Sequence, residues 1–182
     1  MDGKKLLVFS DTHGSIAPLT AVLNWAKDRL PPDDTISGVA FLGDGIFDLS
    51  RAAESSGFYC DWKAVCGNND YRSTVPEEVV FDFCDYRFFM CHGHHHSLYG
   101  GFQSLIGAAR STQANVILYG HTHIPSCKNI DGFLLVNPGS VGRPRSRVGA
   151  SFAVIECLPG EPLTVQFWGI GDKGKIKELK IQ

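Results

Sequence analysis

Hydrophobic residues along this chain fall into short runs, and most runs stop at a glycine followed by polar side chains. The stretch "KKLLVFSD" is apolar through Phe9 and ends on a carboxylate, as expected of a strand buried on both faces that runs into a working loop. Ile16, Leu19, Leu23, Ala26 and Leu30 then recur at three- and four-residue steps and predict an amphipathic helix. Ser15 stands where it would cap that helix, Pro18 is tolerated in its first turn, and Pro31 and Pro32 stop it. "SGVAFLGD" repeats the strand–glycine–carboxylate pattern, and a short helix through "LSRAAESSG" follows. "CDWKAVCGNND" predicts a third strand. "EEVVFDFCD" and "YRFFMCHGH" predict a strand pair meeting near Asp85, with Phe81, Phe83, Phe88 and Phe89 as strand core.

Phe102, Leu105, Ile106 and Ala109 predict another helix, and "ANVILYGHTH" a buried strand ending in histidines. The remainder is strand-rich, with turn signals at Asp131-Gly132 and Pro159-Gly160. An order that begins strand–helix–strand and ends in strands alone fits mixed sheets flanked by helices, an α/β sandwich. No linker, repeat or low-complexity segment interrupts it. The 182 residues are expected to form one domain over 1–182.

Composition narrows the class. Seventeen basic and nineteen acidic side chains give a formal charge of -2, which offers no surface for a nucleic-acid polymer or an anionic membrane. No apolar run reaches the length of a membrane span, and the N-terminus lacks a cleavage pattern, so a cytoplasmic location is expected. Six cysteines at irregular spacing form no CxxC pair; they are expected to be mostly buried strand thiols.

Five predicted strands end in "SDTHG", "GDG", "GNND", "CHGH" and "GHTH". In open α/β sheets, functional groups gather beyond the carboxyl ends of strands, so these loops are expected to meet at one sheet edge. Asp11, His13, Asp44, Asn68, His92, His121 and His123 then form a mixed oxygen and nitrogen donor set. Asp-x-His and His-x-His put two side chains on the same side of an extended segment. A single zinc needs only three or four such donors, so seven point to two metals of the manganese, iron or zinc type. Two ions roughly 3.5–4 Å apart can activate a water between them and hold a phosphoryl group for in-line displacement. Taken alone, each residue has a plainer reading: Asp11 as a helix cap, Gly43-Asp44-Gly45 and Asn68-Asn69 as turns, His92 as a core histidine.

The ordered set "SDTHG…GDG…GNND…CHGH…GHTH…NPGS" resembles the calcineurin-like metallophosphoesterase superfamily, and the short chain resembles its small single-domain phosphodiesterase branch of bacteria and archaea. The likeness runs from residue 8 to about residue 145. It implies a four-layer α/β/β/α sandwich with the site at its edge. It implies a first metal on Asp11, His13 and His123, a second on Asn68, His92 and His121, and Asp44 bridging the two. Manganese is the family's frequent activating ion, with iron, zinc and nickel as alternatives. The implied reaction is hydrolysis of a small phosphodiester by a metal-bridging hydroxide.

One departure stands out. Many members carry a histidine at the second position after the glycine of the third motif, where this chain has Asn69, expected as a catalytic residue in contact with the substrate that can donate a hydrogen bond but is no general acid. His94 falls where the family often places a histidine beside the phosphate. Arg143 and Arg145 would form a phosphate-attracting rim. His95 and His96 are expected at the solvated rim. Asn137 to Ser140 are expected to buttress the "GHTH" loop, and Asp70 to orient Asn69 or its loop. Alternatives are a phosphomonoesterase, a dinucleoside polyphosphate hydrolase, or a non-catalytic scaffold such as a eukaryotic retromer subunit that resembles this fold. Strand edges leave room for a homo-oligomer.

Overall fold

The computed structural model describes residues 3–29 and 36–181. Eleven strands and three α-helices follow one another among them: β1 (Lys4–Phe9), α1 (Ile16–Asp28), β2 (Ile36–Phe41), α2 (Ile46–Ser56), β3 (Trp62–Ala64), β4 (Glu78–Phe83), β5 (Tyr86–Cys91), α3 (Gln103–Ser111), β6 (Val116–Tyr119), β7 (Ser126–Ile130), β8 (Phe133–Asn137), β9 (Ser151–Cys157), β10 (Thr164–Ile170) and β11 (Ile176–Leu179). They make two mixed sheets. One has the order β11-β10-β9-β1-β2-β3, the other β4-β5-β6-β8-β7. Strands β1, β2 and β3 are parallel to one another, as are β5, β6 and β8; β9, β10, β11, β4 and β7 join by antiparallel pairing.

Three cores follow from side-chain alternation along these strands. Leu6 and Val8 of β1 face the second sheet and meet Phe88, Met90, Leu118 and Val136. Leu7 and Phe9 point the other way and pack under α1 and α2 with Leu19, Leu23, Val39, Phe41 and Ala52. The outer face of the second sheet, with Phe89, Ile117 and Leu135, is covered by Leu105, Ile106 and Ala109 of α3. The layers are therefore helix, sheet, sheet, helix. A strand segment buried on both faces excludes polar side chains, which is why residues 6–9 of β1, residues 39–41 of β2 and all of β6 read as unbroken apolar runs.

The predicted elements appear with local differences. β4 and β5 pair through a two-residue turn at Cys84-Asp85, and Phe81 stacks on Phe88 with 5.1 Å between ring centroids. Asp131 and Gly132 both take positive φ, 52° and 83°, and close the β7–β8 hairpin as a type I′ turn does. Leu30, Pro31 and Pro32, expected to end the first helix, lie outside the described residues. Ser15 sits at the start of α1 but makes no side-chain capping bond; the preceding Gly14 amide instead donates to Asp48 Oδ2 at 2.7 Å. Helix α2 begins at Ile46, earlier than the apolar pattern suggested. Its N-cap is Gly45, which has no side chain to offer, and the carboxylate of Asp70 supplies the cap. Asp70 Oδ1 accepts the Gly45 and Ile46 amides at 2.8 and 2.9 Å.

The cysteines correct the expectation of mostly buried thiols. All six are free, but only Cys91 and Cys157 are buried, and Cys127 on the edge strand β7 is exposed.

Phe9 is fully buried between β1 and α1, two residues before Asp11. Phe9→Ala should cost about 3–5 kcal/mol. A urea midpoint shifted by less than a third of that, at unchanged slope, would show that the core under α1 collapses around the lost ring.

Candidate metal centre

The five polar loops leave the carboxyl ends of the parallel strands β1, β2 and β3 in one sheet and β5 and β6 in the other. Backbone bonds lace them together. Leu42 N–H donates to Phe9 O, Asp11 N–H to Gly43 O, His13 N–H to Asp44 O, and Gly120 N–H to His92 O. The loops take unusual backbone shapes. Asp11, His13, Asp44, His121 and His123 all have left-handed φ, between 45° and 65°. Non-glycine residues pay for that conformation, and such strain concentrates at functional sites.

Asp11 is fully buried. Its Oδ2 accepts the Ser10 hydroxyl at 2.6 Å and the His121 amide at 3.1 Å. Its Oδ1 lies 3.0 Å from His123 Nε2, 3.6 Å from His13 Nε2 and 3.9 Å from His92 Nε2, yet has no partner with hydrogen-bond geometry. Asp44 Oδ2 lies 3.5 Å from His13 Nε2 and 3.4 Å from His92 Nε2. His13 and His123 bring their Nε2 atoms to 3.2 Å. Asp11, His13 and His123 thus form one group of candidate ligands, and Asp11, Asp44 and His92 a second. Both aspartates face both groups.

The histidines are oriented for this. His92 Nδ1 lies 2.7 Å from Leu42 O, and His123 Nδ1 2.5 Å from Arg143 O. A carbonyl can only accept, so each Nδ1 carries the proton and each Nε2 lone pair is aimed at the carboxylates. His92 Nε2 and Asp11 Oδ1 are both buried without a hydrogen bond. Two such orphaned lone-pair atoms, 3.9 Å apart, suit a shared cation. The donor set fits a divalent metal of the imidazole- and carboxylate-binding kind.

Charge supports the geometry. Burial alone would raise the Asp11 carboxyl, but the imidazoles of His123, His13 and His92 hold it far below the usual carboxylate range. Asp44 is likewise raised by burial but pulled down to about 2 by His92 and by the Asn69 amides. Burial disfavours the charged form of His92, yet Asp44 and Asp11 overcome it and raise its pKa. His94 and His121 move the other way, because burial and neighbouring imidazoles disfavour their protonation.

The remaining expected residues divide. The His121 ring lies 5.2 Å from that of His92, and His94 lies 5.4 Å from His92 and 6.3 Å from His121. Asn68 is exposed. Asn69 is engaged on Asp44: its backbone amide donates to Oδ1 at 2.7 Å and its side-chain amide to Oδ2 at 2.6 Å. Arg143 lines a cavity of about 300 Å³ with His13, Asp44 and Asn69. Arg145 reaches the Tyr99 hydroxyl at 3.2 Å. His95 is exposed, 3.6 Å from Glu77, but His96 is not at a solvated rim as expected. A turn back onto Gly93 O buries its ring edge-on against Phe89, with Ser104 and Glu78 as polar neighbours.

One support went unread in the sequence. Asp48 Oδ2 accepts the Thr12 hydroxyl at 2.6 Å and the Gly14 amide, tying α2 to the first loop. Ser140, expected to buttress the fifth loop, braces the first with its side chain: its Oγ donates to Asp11 O at 2.7 Å. Asp70 holds a loop, as anticipated: beyond the cap of α2, its Oδ2 accepts the Asp44 and Gly67 amides. Asn137 braces the fifth loop by donating to Gly120 O at 2.8 Å.

The description "Calcineurin-like phosphoesterase superfamily domain" matches residues 5–159. The chain belongs to that superfamily. Relatives of it carry the names metallophosphoesterase and phosphodiesterase, and this chain is a metal-dependent phosphoesterase. The probable metallophosphoesterase YsnB of Bacillus subtilis is 30% identical over 163 residues, covering 90% of this chain and 89% of its own. Phosphodiesterase MJ0936 of Methanocaldococcus jannaschii is 28% identical over 149 residues, 74% of this chain and 82% of its own. Among solved structures, Vps29 of Entamoeba histolytica complexed with zinc superposes with a TM-score of 0.70 at 21% identity, over 96% of this chain and 98% of that one. That last likeness concerns the fold. No helix among the described residues is long and apolar enough to cross a membrane.

The centre couples protons to metal. In the metal-free protein, a raised His92 pKa adds stability below about pH 6.5 that is lost as pH rises through the folded value. The lowered Asp44 adds stability above about pH 4 that is lost as pH falls toward about 2. The cluster should therefore stabilise the chelator-treated protein most between these limits. A metal needs neutral His92. The rise in melting temperature on adding manganese should grow from pH 6 to pH 8; an increment that shrinks over this interval would contradict the ligand role of His92.

Proposed function

We propose that the protein is a dinuclear metal-dependent phosphodiesterase acting on a small phosphodiester. The observation that carries this reading is the pair of ligand groups that share Asp11, with Asp44 of the second group 3.5 Å from His13 of the first and an orphaned oxygen and an orphaned imidazole nitrogen among them. Asp11, His13 and His123 would hold one ion, and His92 and His121, with Asn68 swung in from its exposed position, the other. Asp44 faces both and would bridge them. Manganese is proposed as the native metal, with iron, zinc or nickel as substitutes. Bound there, two such ions supply Lewis acidity, activating a water and neutralising charge on the phosphoryl oxygens.

The chain's own residues do the rest. His92 and His123 present Nε2 because backbone carbonyls hold their other nitrogens. Asn69 fixes both oxygens of Asp44, so that the bridging carboxylate is presented in one orientation. Its amide carries no transferable proton, which favours diesters with good leaving groups over monoesters with poor ones. Arg143, at the cavity wall, brings a fixed positive charge toward the phosphate. His94, beside His92 and His121, would face the phosphate. The relatives named phosphodiesterase and metallophosphoesterase support the same reading. The domain is proposed to be one unit over 1–182, working in the cytoplasm on a small phosphoester without a nucleic-acid polymer or membrane as partner.

A non-catalytic protein-binding scaffold is the competing reading, favoured by the fold likeness to Vps29. The intact donor set argues against it, since unpaired buried charge is costly to keep without a metal.

A metal-loaded activity panel of cyclic nucleotides, dinucleotides, aryl diesters and monoesters tests this. Turnover of diesters above monoesters is expected; turnover of monoesters alone would refute the diesterase assignment, and absence of both turnover and metal uptake would favour the scaffold. Asp44→Asn should lower turnover by about 10²–10³-fold, comparable to losing one charge-stabilising group, and weaken uptake of both metals by elemental analysis. Near-normal turnover in this variant would remove Asp44 from the bridging position.

A further inference from the structure

The cavity of about 300 Å³ beside the metal ligands is lined mostly by polar residues, among them His13, Asp44, Asn69 and Arg143. Phe47 also lines it, 67% exposed although it is a large apolar side chain. Its position explains the exposure. Phe47 is in the first turn of α2, whose buried stripe is made by Leu49, Ala52 and Ala53 with Ile46 beside them. Successive helical positions turn by about 100°, so Phe47 stands off that stripe and adds nothing to the core. Among the described residues, no aromatic pair or cation–ring contact includes it.

The backbone that carries the ring is nonetheless firmly held. The start of α2 is clamped by Asp70 through the amides of Gly45 and Ile46, and Asp48 of the same turn is tied to Thr12 and Gly14. Gly45 itself leaves no slack: a Cβ there would lie 1.7 Å from Thr12 Oγ1. An exposed aromatic ring, carried on that backbone three residues from Asp44 and lining a cavity with Arg143, offers a flat apolar face to whatever substituent a phosphoryl group carries. An alkyl group would gain little from a flat face, whereas a second ring can stack on it.

We propose that this cavity is a subsite for a flat aromatic substituent of the phosphoester, a nucleobase or an aryl ring, stacked on Phe47 with the phosphoryl group toward Arg143. The proposal rests on the phosphoesterase reading of the adjoining centre and deepens it by naming a substrate class. Stacking of a base on a protein aromatic contributes a factor of about 5 to 150 in affinity.

Equilibrium calorimetry on the manganese-loaded protein tests it without requiring turnover. Two matched pairs serve as probes: phenylphosphonate against methylphosphonate, and adenosine 5′-phosphate against ribose 5-phosphate. The aromatic member of at least one pair should bind more than about fivefold tighter. Phe47→Ala should erase the preference while leaving methylphosphonate and ribose 5-phosphate binding unchanged, Phe47→Leu should do the same while keeping apolar bulk, and Phe47→Trp should restore it. A preference confined to the adenosine pair assigns the subsite to a nucleobase, and one confined to the phenyl pair assigns it to an aryl group. No preference in the native protein, or a preference that survives Phe47→Ala, overturns the proposal. A protein that hydrolyses diesters without aromatic preference sinks the subsite alone; one that shows the preference without hydrolysis sinks only the diesterase reading.

Discussion

A fully buried carboxylate governs this molecule. Asp11 sits at the end of a strand with apolar neighbours on both faces, where an unpaired charge would be prohibitive. The surrounding structure answers on every side. Ser10 and the His121 amide hold one oxygen, Ser140 holds the residue's carbonyl, and three imidazoles crowd the other oxygen. Those imidazoles come from three loops on two sheets. Their approach is tolerable only because the carboxylate is there, and the carboxylate is tolerable only because they approach.

The price is backbone strain, and a second carboxylate helps to hold it. Asp70 collects amides from Asp44, Gly45, Ile46 and Gly67, joining the loop after β2 to the loop after β3 while capping α2. Asp44 is thereby held at a left-handed φ of 59°. Asn69, one residue before Asp70, then fixes the Asp44 side chain. One short segment thus sets both the backbone and the carboxylate of the residue proposed to bridge the metals.

Much of this was legible in the chain. Apolar runs ending at glycine and polar side chains gave the parallel strands, because runs that short, bounded by turn residues, are too brief for helices. The meeting of the polar loops followed from where such strands end. The order of motifs carried the family. Other features were hidden for physical reasons. The early start of α2 depends on a cap 24 residues distant from Ile46, which no local propensity encodes. His96 looked like its exposed neighbour His95 because only the turn onto Gly93 decides which ring goes inside. Asn69 read as a substrate contact, since nothing local says that its amide reaches Asp44. Phe47 had no signal beyond its place beside a glycine-aspartate motif, for exposure is a property of packing rather than of residue type.

His92 belongs to one sheet, but its Nδ1 proton reaches the carbonyl of Leu42 at the end of β2 in the other. The ring therefore acts as a rivet through the seam between the layers. Asp11, His13 and Asp44 leave the strands of one sheet, and His92, His121 and His123 those of the other. Neither layer carries the donor set alone; it exists only where the two layers are riveted together.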